Sequence, residues 1–220
     1  MYIVLIGPPG VGKGTQATRL VGKYAMVKIS TGDLLRDSIK ENSPLGVKAK
    51  NYMEKGELVP DHLVLDLVKE KIYSPAAAKH SCIFDGFPRT IQQAQSLDVI
   101  LDDHNAGINL VIEFTMDEED RIIRLAGRRM CPKCQRTYHV VFARPKEDSL
   151  CDVCRVALVQ RSDDNEQIIR QRSSVYWELT NPLLEFYAQR NILKTIDVNQ
   201  SIDCVFDELN SLLVSFDRSL

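Results

Sequence analysis

Tyr2-Ile3-Val4-Leu5-Ile6-Gly7-Pro8-Pro9-Gly10-Val11-Gly12-Lys13-Gly14-Thr15 opens the chain, and the fold class follows from it. Five apolar residues rich in branched side chains, stopped abruptly by glycine and proline, predict a buried strand. The glycines that follow let backbone amides turn inward as an anion nest. Lys13 adds a mobile positive charge, and the helix that starts here adds its N-terminal dipole. Together these are the parts of a phosphate-binding loop. Gly14 stands where such loops usually carry Ser or Thr, and Thr15 comes one residue later. The hydroxyl that ordinarily ligates magnesium is therefore displaced.

Outward from this loop, apolar runs at 27–29, 81–84, 110–114 and 193–196 read as four more strands, each separated from the next by amphipathic stretches. Strands alternating with helices predict an α/β fold, a five-stranded parallel sheet covered on both faces, with ligands beyond the carboxyl ends of the strands. Thr31-Gly32-Asp33 follows the second run and Asp85-Gly86-Phe87-Pro88-Arg89 the third. Asp61 after Pro60 is expected to cap a helix, and Thr90 with Gln93 to form a capping box. Two segments interrupt the alternation. Residues 30–59 read as a helical insertion broken at Ser43-Pro44 and Gly56, and residues 128–164 carry four cysteines, short strand-like pieces, Pro132 and Pro145. The remaining 1–29, 60–127 and 165–220 form the expected core domain, with no internal repeat.

Of 220 residues, 44% are hydrophobic and 26% charged, well inside the globular range. A formal net charge of −2 provides no general field for nucleic acid or anionic membrane, so polyanion binding must come from a local cluster. No apolar run approaches the roughly 20 residues of a membrane helix, and no basic residues precede the first one. A cytoplasmic protein without nucleic-acid or membrane partners is expected. Cys82 and Cys204, alone in apolar stretches, are expected to be small buried packing residues.

The other four cysteines form Cys131-Pro132-Lys133-Cys134 and Cys151-Asp152-Val153-Cys154, with sixteen residues between the pairs. Two facing knuckles at this spacing suit tetrahedral zinc, and four thiolates leave no open position, so the metal is expected to be structural. A redox pair and a nucleic-acid zinc ribbon are the alternatives. His139 is then expected to be a packing residue of this segment. Gln135 replaces the glycine usual after such a pair.

The phosphate loop, Ser30-Thr31-Gly32-Asp33-Leu34-Leu35-Arg36, Lys55-Gly56-Glu57-Leu58-Val59-Pro60-Asp61, Asp85-Gly86-Phe87-Pro88-Arg89-Thr90, Gly127-Arg128-Arg129 and Arg161-Ser162-Asp163-Asp164 together resemble the adenylate kinase family in its long-lid, zinc-bearing form. The resemblance runs nearly end to end. It implies a monomeric enzyme with a nucleoside monophosphate (NMP) binding insertion and a zinc lid. The implied reaction is reversible phosphoryl transfer, ATP + AMP to two ADP, with Mg2+ and no covalent intermediate. It implies a catalytic shell of Lys13, Arg89, Arg128, Arg161 and Arg172. ATP would contact Gly10, Val11, Gly12, Lys13, Gly14, Thr15, Arg124, Arg128, Thr137, Tyr138 and Gln200. AMP would lie against Thr31, Arg36, Glu57, Leu58, Val59, Gly86, Phe87, Pro88, Arg89, Gln93, Arg161 and Arg172. Asp85 would hold magnesium through water, and a cis Phe87-Pro88 bond fits the family pattern. A kinase of the same fold with another base preference, such as GTP as donor, is the enzymatic alternative. A non-enzymatic nucleotide-binding zinc protein is the alternative from another class.

Overall fold

The five apolar runs become the strands of one parallel sheet in the computed structural model, which describes residues 1–217. In chain order the elements are β1 (Tyr2–Ile6), α1 (Lys13–Tyr24), β2 (Val27–Ser30), α2 (Thr31–Lys40), α3 (Pro44–Lys55), α4 (Asp61–Ile72), β3 (Cys82–Asp85), α5 (Ile91–Asp102) and β4 (Leu110–Thr115). They continue as α6 (Glu118–Ala126), β5 (Arg128–Met130), β6 (Thr137–His139), α7 (Glu166–Val175), a π-helical turn (Tyr176–Thr180), α8 (Pro182–Ala188), β7 (Leu193–Asp197) and α9 (Ile202–Asp217).

Strand order is β2-β3-β1-β4-β7. Because side chains alternate across a strand, β1 feeds both faces. Ile3 and Leu5 pack with Ala17 and Leu20 of α1 and Val205, Leu209 and Leu213 of α9. Val4 and Ile6 pack on the other face with Val64 and Val68 of α4, Leu97 and Leu101 of α5, and Leu183 and Tyr187 of α8. From β1 the chain crosses β3 to reach β2, and from β3 it crosses β1 to reach β4. The loops leaving β1 and β3 therefore diverge, opening a crevice at their carboxyl ends. Pairing of Leu5 with Asp85 puts the phosphate loop and Asp85 side by side there.

The insertion is the helix pair α2–α3. Ser30 caps α2 by accepting from the Asp33 amide, Ser43 caps α3 by accepting from the Gly46 amide with Pro44 at its first position, and Gly56 ends α3 at φ 74°. Serine caps, an early proline and a terminal glycine at positive φ are what these residue types do best at helix ends. In the second insertion β5 and β6 pair antiparallel, extended by bridges from Met130 to Val159 and Leu150 to Ala157.

Three expectations need correction. Pro60 occupies the cap position of α4 with no side-chain cap, and Asp61 is its first helical residue. The Asp61 carboxylate instead turns to the start of α5, accepting from Thr90 Oγ1 at 3.0 Å and Gln93 Nε2 at 2.6 Å. Only half of the Thr90–Gln93 capping box forms. Thr90 Oγ1 accepts from the Gln93 amide, whereas Gln93 Oε1 accepts from the Arg89 amide rather than reaching back to Thr90. Cys82 is buried as expected, but Cys204 is exposed, because in the first turn of α9 its neighbour Val205 holds the buried face.

Gly46 marks the closest approach of α2 and α3, where an added Cβ would lie 2.0 Å from the Ser38 carbonyl oxygen. Backbone cannot yield as a side chain tip does. Gly46→Ala should lower stability by about 1–3 kcal/mol, read as a drop in the thermal midpoint by circular dichroism; an unchanged midpoint would refute this account of α2–α3 packing.

Candidate active site

The loop between β1 and α1 is built on left-handed backbone at Gly10 (φ 96°) and Gly12 (φ 90°), the latter capping α1 with no side-chain hydrogen bond. The first-turn amides of α1 are thus left for an anion. At Gly10 an added Cβ would also meet the Arg121 carbonyl at 2.9 Å. At Gly14, the departure from the usual loop, an added Cβ would sit 3.1 Å from Asp85 Oδ2, a tight contact that the carboxylate would relieve by shifting a few tenths of an ångström. Lys13 folds back, its ammonium donating to the carbonyls of Gly7 and Pro8.

Around this loop the structure gathers the expected arginines. Arg36 pairs with Asp33, Arg128 makes a two-pronged pair with Asp164, and Arg172 donates to Asp163 Oδ2 at 2.9 Å. Arg89 Nε donates to the Gly86 carbonyl at 2.8 Å, and Arg161 Nε lies 3.3 Å from the Met130 sulfur. Among the described residues, Lys13, Arg89 and Arg161 have no carboxylate within 4 Å.

Burial and mutual repulsion act on these cations. Burial lowers the Lys13 pKa to about 7; the field of Asp85 opposes this, while Arg89, Arg172 and Arg128 add to it. Burial and then Arg172 hold Arg89 near about 10, and burial and then Arg128 hold Arg161 near about 9. The Arg172 guanidinium is lowered by burial too, against the pull of Asp163. Burial would raise Asp33, but Lys28 and Arg36 outweigh it and keep that carboxyl well below the usual range.

Two adjoining hollows meet at these cations: Arg36, Arg89 and Arg172 line both, and Lys13, Arg128 and Arg161 line the larger. A cleft of about 610 Å³, the size of a small-molecule site, is bordered by the phosphate loop from Gly10 to Thr15 and by Arg124, Thr137, Tyr138 and Gln200. The Arg124 guanidinium donates to the Val198 carbonyl at 3.1 Å, and Gln200 Nε2 donates to the Asp197 carbonyl and Glu208. Tyr138 is mostly lid core: it packs on Cys131 and Cys151, and its hydroxyl donates to Cys151 Sγ and accepts from the Asp152 amide. The second hollow is lined by Thr31, Arg36, Glu57, Leu58, Val59, Gly86, Arg89, Gln93 and Arg172. Thr31 Oγ1 donates to the Gly86 carbonyl at 2.8 Å. Phe87 is buried in the core, and the Phe87-Pro88 bond is cis. Pro88 borders the larger cleft.

The sulfurs of Cys131, Cys134, Cys151 and Cys154 lie within 4.8 Å of one another. The amides of Lys133 and Cys134 donate to Cys131 Sγ, and that of Cys154 to Cys151 Sγ. Four converging thiolates with amides on their sulfurs are a donor set that fits a tetrahedral metal ion. Gln135 and Arg155, each directly after a pair, both take left-handed backbone (φ 59° and 54°), so the knuckle turn that glycine would favour is made here without it. His139 packs as expected. Its Nδ1 accepts from the amides of Val141 and Phe142, which leaves Nε2–H facing the Ile123 carbonyl.

Four residues were not assigned a role at the site from sequence. Asp163 and Asp164 neutralise Arg172 and Arg128, and Lys28 bridges Asp33 and Asp85 at 2.8 and 3.6 Å. Asp61 is the fourth. Asp61, Asp163 and Asp164 stand inside motifs quoted above, whereas Lys28 gave no signal beyond its place in the second apolar run.

The sequence model of the family described as adenylate kinase matches residues 5–192. The chain belongs to the adenylate kinase family. It is 45% identical over 213 residues to the adenylate kinase of Archaeoglobus fulgidus, covering 97% of this chain and 98% of that protein. To the Syntrophobacter fumaroxidans adenylate kinase it is 46% identical, covering 97% and 100%, and to that of Methanocella arvoryzae 47%, covering 97% and 98%.

A lysine with a pKa near 7 is about half protonated at neutral pH, and a polyphosphate beside it raises that pKa. ATP binding should therefore take up as much as about half a proton at pH 7 and almost none at pH 5.5, where Lys13 is already charged. Calorimetry in buffers of different ionisation enthalpy reads this directly. The uptake should vanish in Lys13→Met, and equal uptake in both proteins would refute the assignment.

Proposed function

We propose that the chain catalyses reversible phosphoryl transfer between ATP and AMP, giving two ADP. The observation that carries this reading is the group of cations around two adjoining hollows, with Arg36, Arg89 and Arg172 bordering both and Lys13, Arg128 and Arg161 bordering the larger. Transfer of a phosphoryl group needs little covalent help from the protein. It needs two nucleotides held with their phosphates facing, the charge of the migrating group neutralised, and water kept out. In this reading ATP takes the larger cleft, its phosphates on the amides from Gly10 to Thr15 and on Lys13, its base and ribose beside Arg124, Thr137, Tyr138 and Gln200. AMP takes the smaller hollow, its phosphate on Arg36 and Arg89 and its base near Thr31, Gln93 and the 57–59 backbone. Arg128, Arg161 and Arg172 surround the group in flight, where bidentate guanidinium contacts to phosphoryl oxygens suit the developing charge.

Magnesium arrives with ATP and supplies charge neutralisation on the phosphates. Asp85 lies at the loop edge where it would hold that ion through water, Thr15 being one residue out of register. The four-cysteine cluster fits zinc as a structural ion. In this reading residues 30–59 and 128–164 are the moving parts on a core of 1–29, 60–127 and 165–220, and the protein works as a cytoplasmic monomer. Among the described residues, no helix is long and apolar enough to cross a membrane.

The test is to supply ATP, magnesium and each nucleoside monophosphate in turn and measure diphosphate. AMP should outperform CMP, UMP and GMP, and GTP should be the poorer donor; comparable efficiency for another acceptor would overturn the assignment. Lys13→Ala and Arg89→Ala should each lower turnover by about 10³ or more while leaving the fold intact.

Zinc and magnesium should separate by experiment. Metal analysis of protein purified without chelators should find one zinc per chain. Removing it should lower the melting temperature and loosen residues 128–164 in hydrogen exchange while the sheet stays protected. Zinc-free enzyme with magnesium should retain substantial activity at low temperature. Rescue of magnesium-free enzyme by one equivalent of zinc would overturn the structural role.

A further inference from the structure

Gln93 is 2% exposed and borders the smaller hollow together with the apolar side chains of Leu35, Met53, Val59 and Val64. Its carboxamide is held from two sides by partners of opposite kind. Asp61 Oδ1, which can only accept, takes a hydrogen from Nε2 at 2.6 Å. The backbone amide of Arg89, which can only donate, gives its hydrogen to Oε1 at 2.8 Å. A carboxamide that rotated by half a turn would set oxygen against the Asp61 carboxylate and N–H against the Arg89 N–H, so both bonds would become repulsions. Asp61 is itself fixed, since Thr90 Oγ1 donates to its other oxygen at 3.0 Å while accepting from the Gln93 amide at 3.1 Å. After these bonds the carboxamide keeps one N–H and one oxygen lone pair.

We propose that Asp61 is a positioning residue that locks the Gln93 carboxamide in the one orientation that reads adenine and rejects a 6-oxopurine. This rests on the acceptor-site reading above and adds the device that gives it selectivity. Adenine presents an amino donor at C6 beside ring-nitrogen acceptors, which the spare lone pair and spare N–H of Gln93 complement. Hypoxanthine and guanine present a carbonyl oxygen at C6, and N1 carries a hydrogen. Against the locked carboxamide, the C6 oxygen meets Oε1, acceptor against acceptor. A free carboxamide would escape by turning over; Asp61 and the Arg89 amide together forbid it. A pocket whose polar groups would be left unpaired rejects the wrong ligand much more strongly than one that merely differs in size.

IMP is the appropriate probe, because hypoxanthine differs from adenine at this edge without the extra amino group of guanine. The ratio of kcat/KM for AMP to that for IMP should fall about tenfold or more in Asp61→Ala, chiefly through KM for the monophosphate. In Asp61→Asn, which keeps an oxygen facing Gln93, the ratio should stay within about threefold of the parent. Gln93→Leu separates the two levels of the argument. If Gln93→Leu collapses the ratio and Asp61→Ala leaves it unchanged, Gln93 reads the base without a lock, and the proposal is overturned while the acceptor site stands. An unchanged ratio in Gln93→Leu overturns both. A ratio lost equally in Asp61→Ala and Asp61→Asn assigns the effect to charge and overturns the lock. Should Asp61→Ala fail to fold, Asp61→Ser, whose hydroxyl is too short to reach Gln93, serves the same comparison.

Discussion

Positive charge that the protein does not neutralise by itself is the constraint around which the structure is arranged. Lys13, Arg89 and Arg161 rest on carbonyl and thioether groups rather than on carboxylates, and their depressed pKa values record the cost of that placement. Removing charge from water is unfavourable unless a partner restores what hydration supplied. In the proposed reading, the missing partner is the phosphate chain of the nucleotides. The cations that do have carboxylates form a scaffold beside them: Asp164 aligns Arg128, Asp163 aligns Arg172, and Asp33 aligns both Arg36 and Lys28. The site thus divides into groups positioned in advance and groups awaiting an anion, which is how preorganised electrostatics stabilises a highly charged transition state.

The sheet makes this arrangement possible. Chain crossovers in opposite directions from β1 and β3 place their loops at one crevice, and apolar side chains on both faces hold the strand ends rigidly. The two insertions lie outside that core. The α2–α3 pair and the cysteine-bearing segment each have their own local order, from serine caps in one and converging thiols in the other. They meet across the cleft through Gln135 Nε2 and Asp37 Oδ1 at 2.6 Å. The lid is seated on the core by His139, whose ring lies so close to Gly127 that a Cβ there would fall 2.2 Å from Nε2.

Much of this was legible in the sequence. All five sheet strands begin and end within a residue or two of the apolar runs, because a buried parallel strand is written as a short continuous stretch of branched side chains. The breaks at Ser43-Pro44 and Gly56, and the thiol cluster from its two Cys-x-x-Cys pairs, follow equally from local chemistry. The phosphate loop is also local: glycine, lysine and a strand before a helix within fourteen residues.

The sequence alone therefore determined the alternation of elements, the glycine-rich loop before α1 and the four-cysteine cluster, since each depends on backbone sterics or spacing within a few residues. Tertiary structure alone decided the pairings. Asp61 reads as a helix cap from its neighbours, yet its partners lie 29 and 32 residues away at the start of α5. Lys28 reads as a strand residue, yet it joins carboxylates from the first turn of α2 and the end of β3. Cys204 reads as core, yet α9 turns it outward. Gly14 reads as part of a local loop, yet the nearest atom its missing Cβ would meet belongs to Asp85, more than seventy residues on. A side chain's direction depends on which surface its element presents to the rest of the chain, and that is fixed only when the layers pack.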